Sequence, residues 1–453
     1  MLDNPLIRIE YDKIINTPLS DVLWKLEAIV VANGIRLKLP NVFTRETIRD
    51  YETQFGDEVY LTAQVGLTTY QDYILPYKDN LKVDVVRTLL DGKGNEIPSA
   101  LQEKDTYTAF LLAPPNLDLM APSRGYDNKQ INELSQLVDI NFQLIDPLLN
   151  EMRMVDVSGV YRGNNGLSME GVLKTLYSYN ANANATESTL NSKRYTGVRG
   201  VDVTPVHNTK VYGNLVIPTG TRLTQIAGYL QKTYGVYQNG INRYYQDSRW
   251  FIYPLYDHLR YKKSKKRLTI LNIPNDELVA PERSFNVRED NVTILATGNT
   301  LVLDQTENIA ANQGTGLRFT KASTLIDGMQ TTKGNKATAN TENTNQGLAI
   351  QQKPNGLTNA RYSSRGMTDN PYVEISELAK GLGIITTVNW ANAKPKYLYP
   401  GMPVKMFYSK EGGVKEIYGT LLGVRISEAP STSRLTDNTY LTNCTLVLHL
   451  QKT

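Results

Sequence analysis

The clearest pattern of apolar and polar positions along the chain lies within residues 221–256. Apolar side chains recur there at the spacing of one helix face, at Leu223, Ile226, Ala227, Leu230 and Tyr234. Thr219 or Thr221 is predicted to cap the start of this helix. Gly235 follows the last periodic residue, where a left-handed glycine commonly ends a helix. The pattern therefore predicts one amphipathic helix that ends at Gly235.

Two β-rich runs follow this helix, at residues 236–245 and 249–255, and a turn at 246–248 separates them. Seven aromatic side chains crowd into the same region, namely Tyr237, Tyr244, Tyr245, Trp250, Phe251, Tyr253 and Tyr256. We interpret them as the packed core between a helix and a hairpin. The alternative is a platform on which a ligand stacks.

Alternation of apolar and polar residues predicts strands near both ends of the chain. In the N-terminal part it covers residues 59–67 and 81–89, and 106–112 is predicted as a returning strand after a turn at 91–95. At the C-terminal end, Leu446, Leu448 and Leu450 alternate in a final strand. The chain is therefore predicted to be mainly β.

Three further elements follow from local patterns. Residues 20–31 are predicted as a helix with Ser20 as its N-cap, and 168–179 as a second amphipathic helix. Residues 291–304 are predicted as a hairpin that turns at 297–299.

The chain of 453 residues is long enough for two to four domains. We predict an N-terminal β-barrel domain at 1–150, a mixed α+β domain at 151–280 and a C-terminal β-barrel domain at 281–453. Residues 329–366 are rich in Thr, Asn, Gln and Gly and are predicted to form a flexible insertion in the last domain.

Composition favours a β-rich protein with subunit contacts and gives no sign of a nucleic-acid or membrane partner. The 28 tyrosines against 8 phenylalanines suit half-buried strand faces and wet subunit contacts. The net charge of +4 demands neither nucleic acid nor a membrane as partner, and no apolar run is long enough to cross a bilayer. The N-terminus lacks a signal-peptide pattern. Cys444 is the single cysteine, which is compatible with folding in a reducing cytoplasm.

The sequence predicts no catalytic, cofactor-binding or metal-binding residues, so we do not expect an enzyme. The three histidines, His207, His258 and His449, have no zinc-site spacing, and no nucleophile elbow, phosphate loop or dinucleotide fingerprint occurs. Residues 260–267 carry six positive charges and are the one dense basic run. A solvated loop is the favoured interpretation, and contact with phosphate or an acidic partner is the alternative.

Three passages resemble the central hub, or tube-initiator, proteins of phage tail baseplates and the related hub part of type VI secretion spikes. They are the helix-forming passage 166–177, the helix and aromatic hairpin of 223–253, and the Pro-Gly closures at 399–404 with 418–423. Thr221 and Arg222 stand where secretion-spike hubs often have acidic residues, which favours a phage hub. The insertion 329–366 also departs from the family.

The resemblance implies two tail-tube-like β-barrels per chain with a helix-bearing middle domain, and assembly as a homotrimer. It further implies a place in the baseplate of the virion tail, between the trimeric spike and the hexameric tail tube. Implied partners are the tube protein, the spike protein, other baseplate proteins and the tape-measure protein. DNA would pass through the lumen without specific binding. No membrane anchoring and no cofactor are implied.

Three alternatives stay open from the sequence. One is a different tail or neck component, such as a tube or terminator protein, although one tube subunit would need only one barrel. Another is a tail enzyme that degrades cell-wall polymer, which would need paired carboxylates or zinc. The third is a carbohydrate-binding receptor protein that uses the aromatic hairpin, with Trp250 as the residue to test.

Overall fold

The computed structural model describes thirteen stretches of the chain. They are residues 4–16, 23–90, 96–97, 102–112, 137–180, 197–274, 284–303, 348–352, 358–362, 370–381, 383–410, 413–431 and 439–451. The turn predicted at 91–95 and most of the insertion predicted at 329–366 lie outside them.

Strands make up most of the described structure, so the prediction of a mainly β chain is confirmed. In chain order they are β1 Trp24–Ala32, β2 Ile35–Lys38, β3 Asn41–Asp50, β4 Glu58–Gly66, β5 Leu81–Leu89, β6 Glu103–Leu111, β7 Leu137–Ile145, β8 Gly159–Ser168, β9 Gly200–Val203, β10 Val211–Ile217, β11 Ile241–Gln246, β12 Arg249–Pro254, β13 Arg267–Ile273, β14 Phe285–Arg288, β15 Asn291–Leu303, β16 Leu348–Gln352, β17 Thr358–Tyr362, β18 Gly383–Trp390, β19 Pro403–Lys410, β20 Gly413–Pro430 and β21 Thr439–Gln451.

Helices are short by comparison. They are α1 Pro5–Ile15, α2 Pro147–Met152, α3 Met169–Thr175, α4 Ile226–Thr233 and α5 Pro371–Gly381. Helical turns occur at Leu67–Thr69, Tyr70–Ile74, Leu75–Asn80, Leu176–Asn180, Leu223–Gln225 and Pro395–Tyr397. Within the described stretches, no helix is long and apolar enough to cross a membrane.

The large sheet closes into two rings. The N-terminal barrel has eight strands in the order β20-β3-β4-β7-β6-β5-β1-β21, and β21 pairs back with β20. The C-terminal barrel has six strands in the order β13-β19-β20-β21-β18-β15, and β15 pairs back with β13 in parallel. Both rings contain β20 and β21, so one long hairpin is common to the two barrels. The domain boundaries predicted at 150 and 280 stay predictions.

The shared hairpin changes partners at a β-bulge. The outer edge of β20 pairs with β19 up to Thr420 and with β3 from Gly423 onward. The register of β20 against β21 shifts by one residue between Leu421 and Gly423, where the change occurs. A bulge bends its strand and increases the local twist. This one residue therefore allows β20 to leave the wall of one barrel and enter the wall of the other.

Each barrel has a core of its own. Leu61, Val83 and Phe142 are fully buried in the N-terminal barrel, and Ile270 and Leu446 in the C-terminal barrel. A closed barrel of about eight strands has an interior just wide enough for side chains to fill. Helix α1 covers part of the C-terminal barrel from outside, where its apolar side chains pack on those of β13 and β15.

A middle layer lies between residues 147 and 254. It contains α2, α3, α4, the pair β8–β10 and the three-stranded sheet β11-β12-β9. Its core joins helix residues such as Leu173 and Leu230 to Trp250 of the hairpin. Helix α4 ends as predicted, since Gly235 has a φ of 78°. The helical turn Leu223–Gln225 precedes it, and there Gln225 Oε1 accepts a hydrogen bond from the amide of Arg222 at 3.3 Å, so the N-cap position is Arg222 and not Thr219 or Thr221. The predicted helix at 168–179 is observed as α3, where Ser168 accepts a hydrogen bond from the Gly171 amide at 3.2 Å.

Two predicted secondary-structure elements are also wrong. Residues 20–31 were expected to be helical, but the described part forms β1, in which buried and half-buried residues alternate from Trp24 to Ala32. The hairpin predicted at 291–304 is one continuous strand, β15. Its 297–301 part carries an irregularity where β15 moves from pairing with β14 to pairing with β18, so Gly298 lies in a bulge and not in a turn.

Candidate functional site: the junction of the two barrels

Residues 51–57 connect β3 to β4 of the N-terminal barrel and lie against the hairpin β11–β12 of the middle layer. Two side chains of that hairpin donate hydrogen bonds to the carbonyl of Tyr51, from Asn242 Nδ2 at 2.6 Å and from the Tyr253 hydroxyl at 2.7 Å. The Tyr51 hydroxyl in turn donates to Gln246 Oε1 at 3.1 Å. All four side chains are buried. We call this network of residues 51–57 and the hairpin the tyrosine junction.

Main-chain contacts extend the tyrosine junction. The amide of Tyr245 donates to the carbonyl of Phe55 at 2.9 Å, and Gly56 forms a parallel bridge with Tyr245. A Cβ atom on Gly56 would lie 2.1 Å from Leu149 of α2, so only glycine allows the helix to pack this closely. The connection therefore contacts both the hairpin and a helix of the middle layer.

The same hairpin contacts the C-terminal barrel from its other side. Gln246 Nε2 donates to the carbonyl of Leu398 at 2.9 Å, and the ring of Phe251 stacks on Tyr399 at 6.2 Å between centroids. Gly401 has a φ of 64°, and a Cβ there would lie 2.1 Å from the ring of Tyr253. One hairpin thus contacts both barrels through buried and half-buried groups.

Burial controls the chemistry of the tyrosine junction. Desolvation raises the pKa of Tyr51, Tyr244 and Tyr253 well above the usual value of a phenol. Their hydroxyls are therefore neutral donors throughout the physiological range. Tyr244 uses its hydroxyl to donate to Asp57 Oδ1 at 2.9 Å, and Arg49 Nε donates to the other oxygen of Asp57 at 3.0 Å.

The burial of the hairpin aromatics separates the two interpretations made from sequence. Tyr244 and Trp250 are fully buried, and Tyr253 is 2% exposed. The packed-core interpretation is confirmed for Trp250, which lies among residues of the helices, whereas Tyr244 and Tyr253 pack with residues of the C-terminal barrel. No face of these three rings is open to a sugar. Sequence reasoning missed residues 51–57 because they carry no periodic pattern; Tyr51, Phe55 and Gly56 in a polar stretch were the only signal.

A buried ion-pair network crosses the interior of the N-terminal barrel. Glu428 of the shared strand β20 accepts from Arg45 of β3 at 2.8 Å and from Arg87 of β5 at 3.4 Å. Arg87 also pairs with Asp105 of β6 at 3.2 Å, and Arg45 donates to the Tyr107 hydroxyl at 2.8 Å. Burial opposes ionisation of Glu428, but the two guanidiniums outweigh it and lower its pKa. The network therefore links the shared hairpin to the opposite wall of this barrel.

The histidines occupy three separate positions. His207 is exposed and accepts the amide of Gln238 at 3.0 Å. His258, which follows the hairpin, meets His449 of β21 with 2.8 Å between Nε2 and Nδ1, and the rings stack. In the part of the chain that the structure describes, no three His, Cys, Asp or Glu side chains group as metal ligands would.

No protein-family model matches the chain, and no curated protein matches its sequence. Several solved structures match over most of its length. The tail protein from Neisseria meningitidis MC58 is 11% identical with a TM-score of 0.42, and the match covers 94% of this chain and 96% of that one. The 43 kDa tail protein of prophage MuSo2 from Shewanella oneidensis is 10% identical with a TM-score of 0.43, covering 93% and 98%.

A third match is the Francisella PdpA-VgrG complex in its half-lidded form, 10% identical with a TM-score of 0.35, covering 99% of this chain and 61% of that one. The two tail proteins are of the kind that the sequence resembles.

Proposed function

We propose that the chain is a structural protein of a phage tail, the baseplate hub that adapts a trimeric spike to a hexameric tail tube and nucleates tube assembly. The observation that carries the proposal is the pair of closed barrels in one chain, joined by the β20–β21 hairpin. A tube subunit with one barrel would need no such shared strands. The hub resemblance of the sequence supports the same role.

Three copies of a chain with two barrels place six barrels in a ring. Such a ring offers six similar surfaces to a hexameric tube and three identical surfaces to a trimeric spike. A closed cyclic ring uses heterologous contacts between neighbouring copies. The two barrels must keep a fixed relation for the six surfaces to match, and the shared hairpin and the tyrosine junction supply it.

In the proposed assembly the partners are further copies of this chain, the tube protein, the spike protein, other baseplate proteins and the tape-measure protein. The chain would be made in the bacterial cytoplasm and reside in the tail of the virion. It acts by shape and contact, so the proposal assigns no catalytic residue.

Mass photometry of the purified chain, alone and mixed with the tube protein of the same virus, tests the proposal. We expect trimers, and larger species only when tube protein is added. A chain that stays monomeric and never joins tube subunits contradicts the proposal. Tube protein incubated without the chain is the control, and it should assemble more slowly because the nucleus is missing.

A further inference from the structure

The basic run lies in a tight turn that connects the hairpin β11–β12 to β13. The carbonyl of Arg260 accepts hydrogen bonds from the amides of Lys263 and Ser264, at 3.0 and 2.9 Å, which closes one helical turn. We call residues 262–266 the lysine turn. Lys262, Lys263, Lys265 and Lys266 are all exposed.

The residues around the lysine turn hold it in place. The buried guanidinium of Arg260 donates to the carbonyl of Gly401 and to Thr204 Oγ1, the latter at 3.3 Å. The Tyr399 hydroxyl donates to the carbonyl of Lys266 at 2.5 Å, and the Tyr261 hydroxyl bonds to Thr269 Oγ1 at 2.6 Å. The backbone of the turn is therefore fixed before any partner arrives.

The four ammonium groups have no carboxylate partner among the residues that the structure describes. Two of them stand over aromatic rings, Lys262 over Tyr418 and Lys266 over Tyr399, each at 5.8 Å. The nearby Glu416 already pairs with Lys405 at 2.7 Å. Some other exposed lysines, such as Lys38 and Lys396, pair with carboxylates. The lysine turn thus concentrates four positive charges, none of which forms an ion pair with a carboxylate of the described stretches.

We propose that the lysine turn binds the phosphate backbone of nucleic acid without reading its sequence. Ammonium groups are compact charges that engage phosphate from many directions. The hydroxyls of Tyr261, Tyr399 and Tyr418 are all used in hydrogen bonds within the chain, so little remains to recognise the side chains of a particular protein. A surface that offers charge without directional groups suits a uniform polyanion.

Fluorescence anisotropy with labelled single-stranded and double-stranded DNA of mixed sequence, over a series of salt concentrations, tests this proposal. The variant changes Lys262, Lys263, Lys265 and Lys266 together to glutamine. We expect its affinity at low salt to fall at least tenfold. The slope of log affinity against log salt should flatten by about 3, since each phosphate contact contributes about 0.7 to 0.9.

A matched variant changes four other exposed lysines to glutamine and so removes the same charge. These are Lys78, Lys82, Lys210 and Lys232. It should keep most of the affinity and the steeper slope. Whichever DNA form binds more tightly identifies the natural strandedness.

Equal losses in the two variants would mean that only net charge matters, and that result overturns the proposal. Unchanged DNA binding in the lysine-turn variant also overturns it, as does preferential binding of polyglutamate, which would indicate an acidic protein partner. The proposal is separate from the hub assignment, because the lysine-turn variant should still assemble with tube protein as the unchanged chain does.

Discussion

His258, in the connection after the hairpin β11–β12, contacts His449 of β21, and the contacts of the pair fix both tautomers. His449 Nε2 lies 3.1 Å from the carbonyl of Lys380 and must carry a hydrogen. His449 Nδ1 is therefore the acceptor, and His258 Nε2 donates to it. Burial, helped by His449, lowers the pKa of His258 to about 4, and burial also lowers the pKa of His449. Glu52 and the ammonium of Lys380 are the charged groups close to the pair.

This pair predicts a loss of stability in acid. The unfolded chain binds a proton at His258 near pH 6.5, whereas the folded chain does so only near pH 4, so stability falls as the pH drops through this window. The share of His258 should be about 1–3 kcal/mol. Thermal unfolding between pH 7 and pH 4 measures it. His258→Gln should flatten the dependence; a flat profile for the unchanged chain contradicts this assignment.

Gly401 offers a second test at the residue scale. Its φ is positive and a Cβ would overlap the ring of Tyr253, whereas Gly220 has a similar φ of 85° and open space around it. Gly220→Ala should cost about 1 kcal/mol from backbone strain alone. Gly401→Ala should cost about 2 kcal/mol more because the ring must move. Calorimetry of both variants gives the difference, and equal costs would mean that the ring contact is unimportant.

The roles of Gly235 and Gly401 are not equally predictable from the sequence. Gly235 was predicted as a left-handed stop because it follows a periodic helix pattern, and its φ confirms that. The need for glycine at Gly401 arises from Tyr253, a residue far away in the sequence. The residues next to Gly401 in the sequence show no pattern that would predict this contact.

At the scale of elements, the wrong prediction for β1 has a simple cause. Leu26 and Val30 fit both the helix spacing and the strand alternation, and the run is short. A strand forms in place of a helix because pairing with β5 along its whole length buries Leu26, Ala28 and Val30 in the N-terminal barrel. Ile29, Val30 and Val31 also favour an extended backbone.

We predict that the tyrosine junction is the element through which the folded structure of one barrel stabilises that of the other. Asn242→Ala removes the 2.6 Å hydrogen bond to the Tyr51 carbonyl inside a buried site, at a cost of about 1–3 kcal/mol. Hydrogen exchange should then quicken at residues 51–57 and 241–246 but not in β1 and β5. Asn389→Ala, at an exposed position, should change exchange only locally. Unchanged protection at 51–57 in the Asn242 variant contradicts the predicted role.

At the scale of the molecule, local patterns predicted β-rich ends and a helical middle, and the hub resemblance implied two barrels. They did not predict that the barrels share β20 and β21. That feature depends on pairing of residues 423–428 with 45–50 and of residues 444–451 with 383–390. Alternation alone identifies which residues face inward, but it does not select a partner strand from a distant part of the chain. Both walls use the same hairpin, so neither barrel can close without β20 and β21.

We propose that this chain holds its two barrels in a fixed relation, so that the six barrels of three copies match the sixfold symmetry of a tail tube. Electron cryo-microscopy of the chain bound to short tubes made by its tube protein tests it most directly. The predicted reconstruction shows three copies at one end of the tube, with six barrels in a ring that continues the tube's own. A ring with any other number of copies, or one in which only one barrel of each chain contacts the tube, would contradict the account.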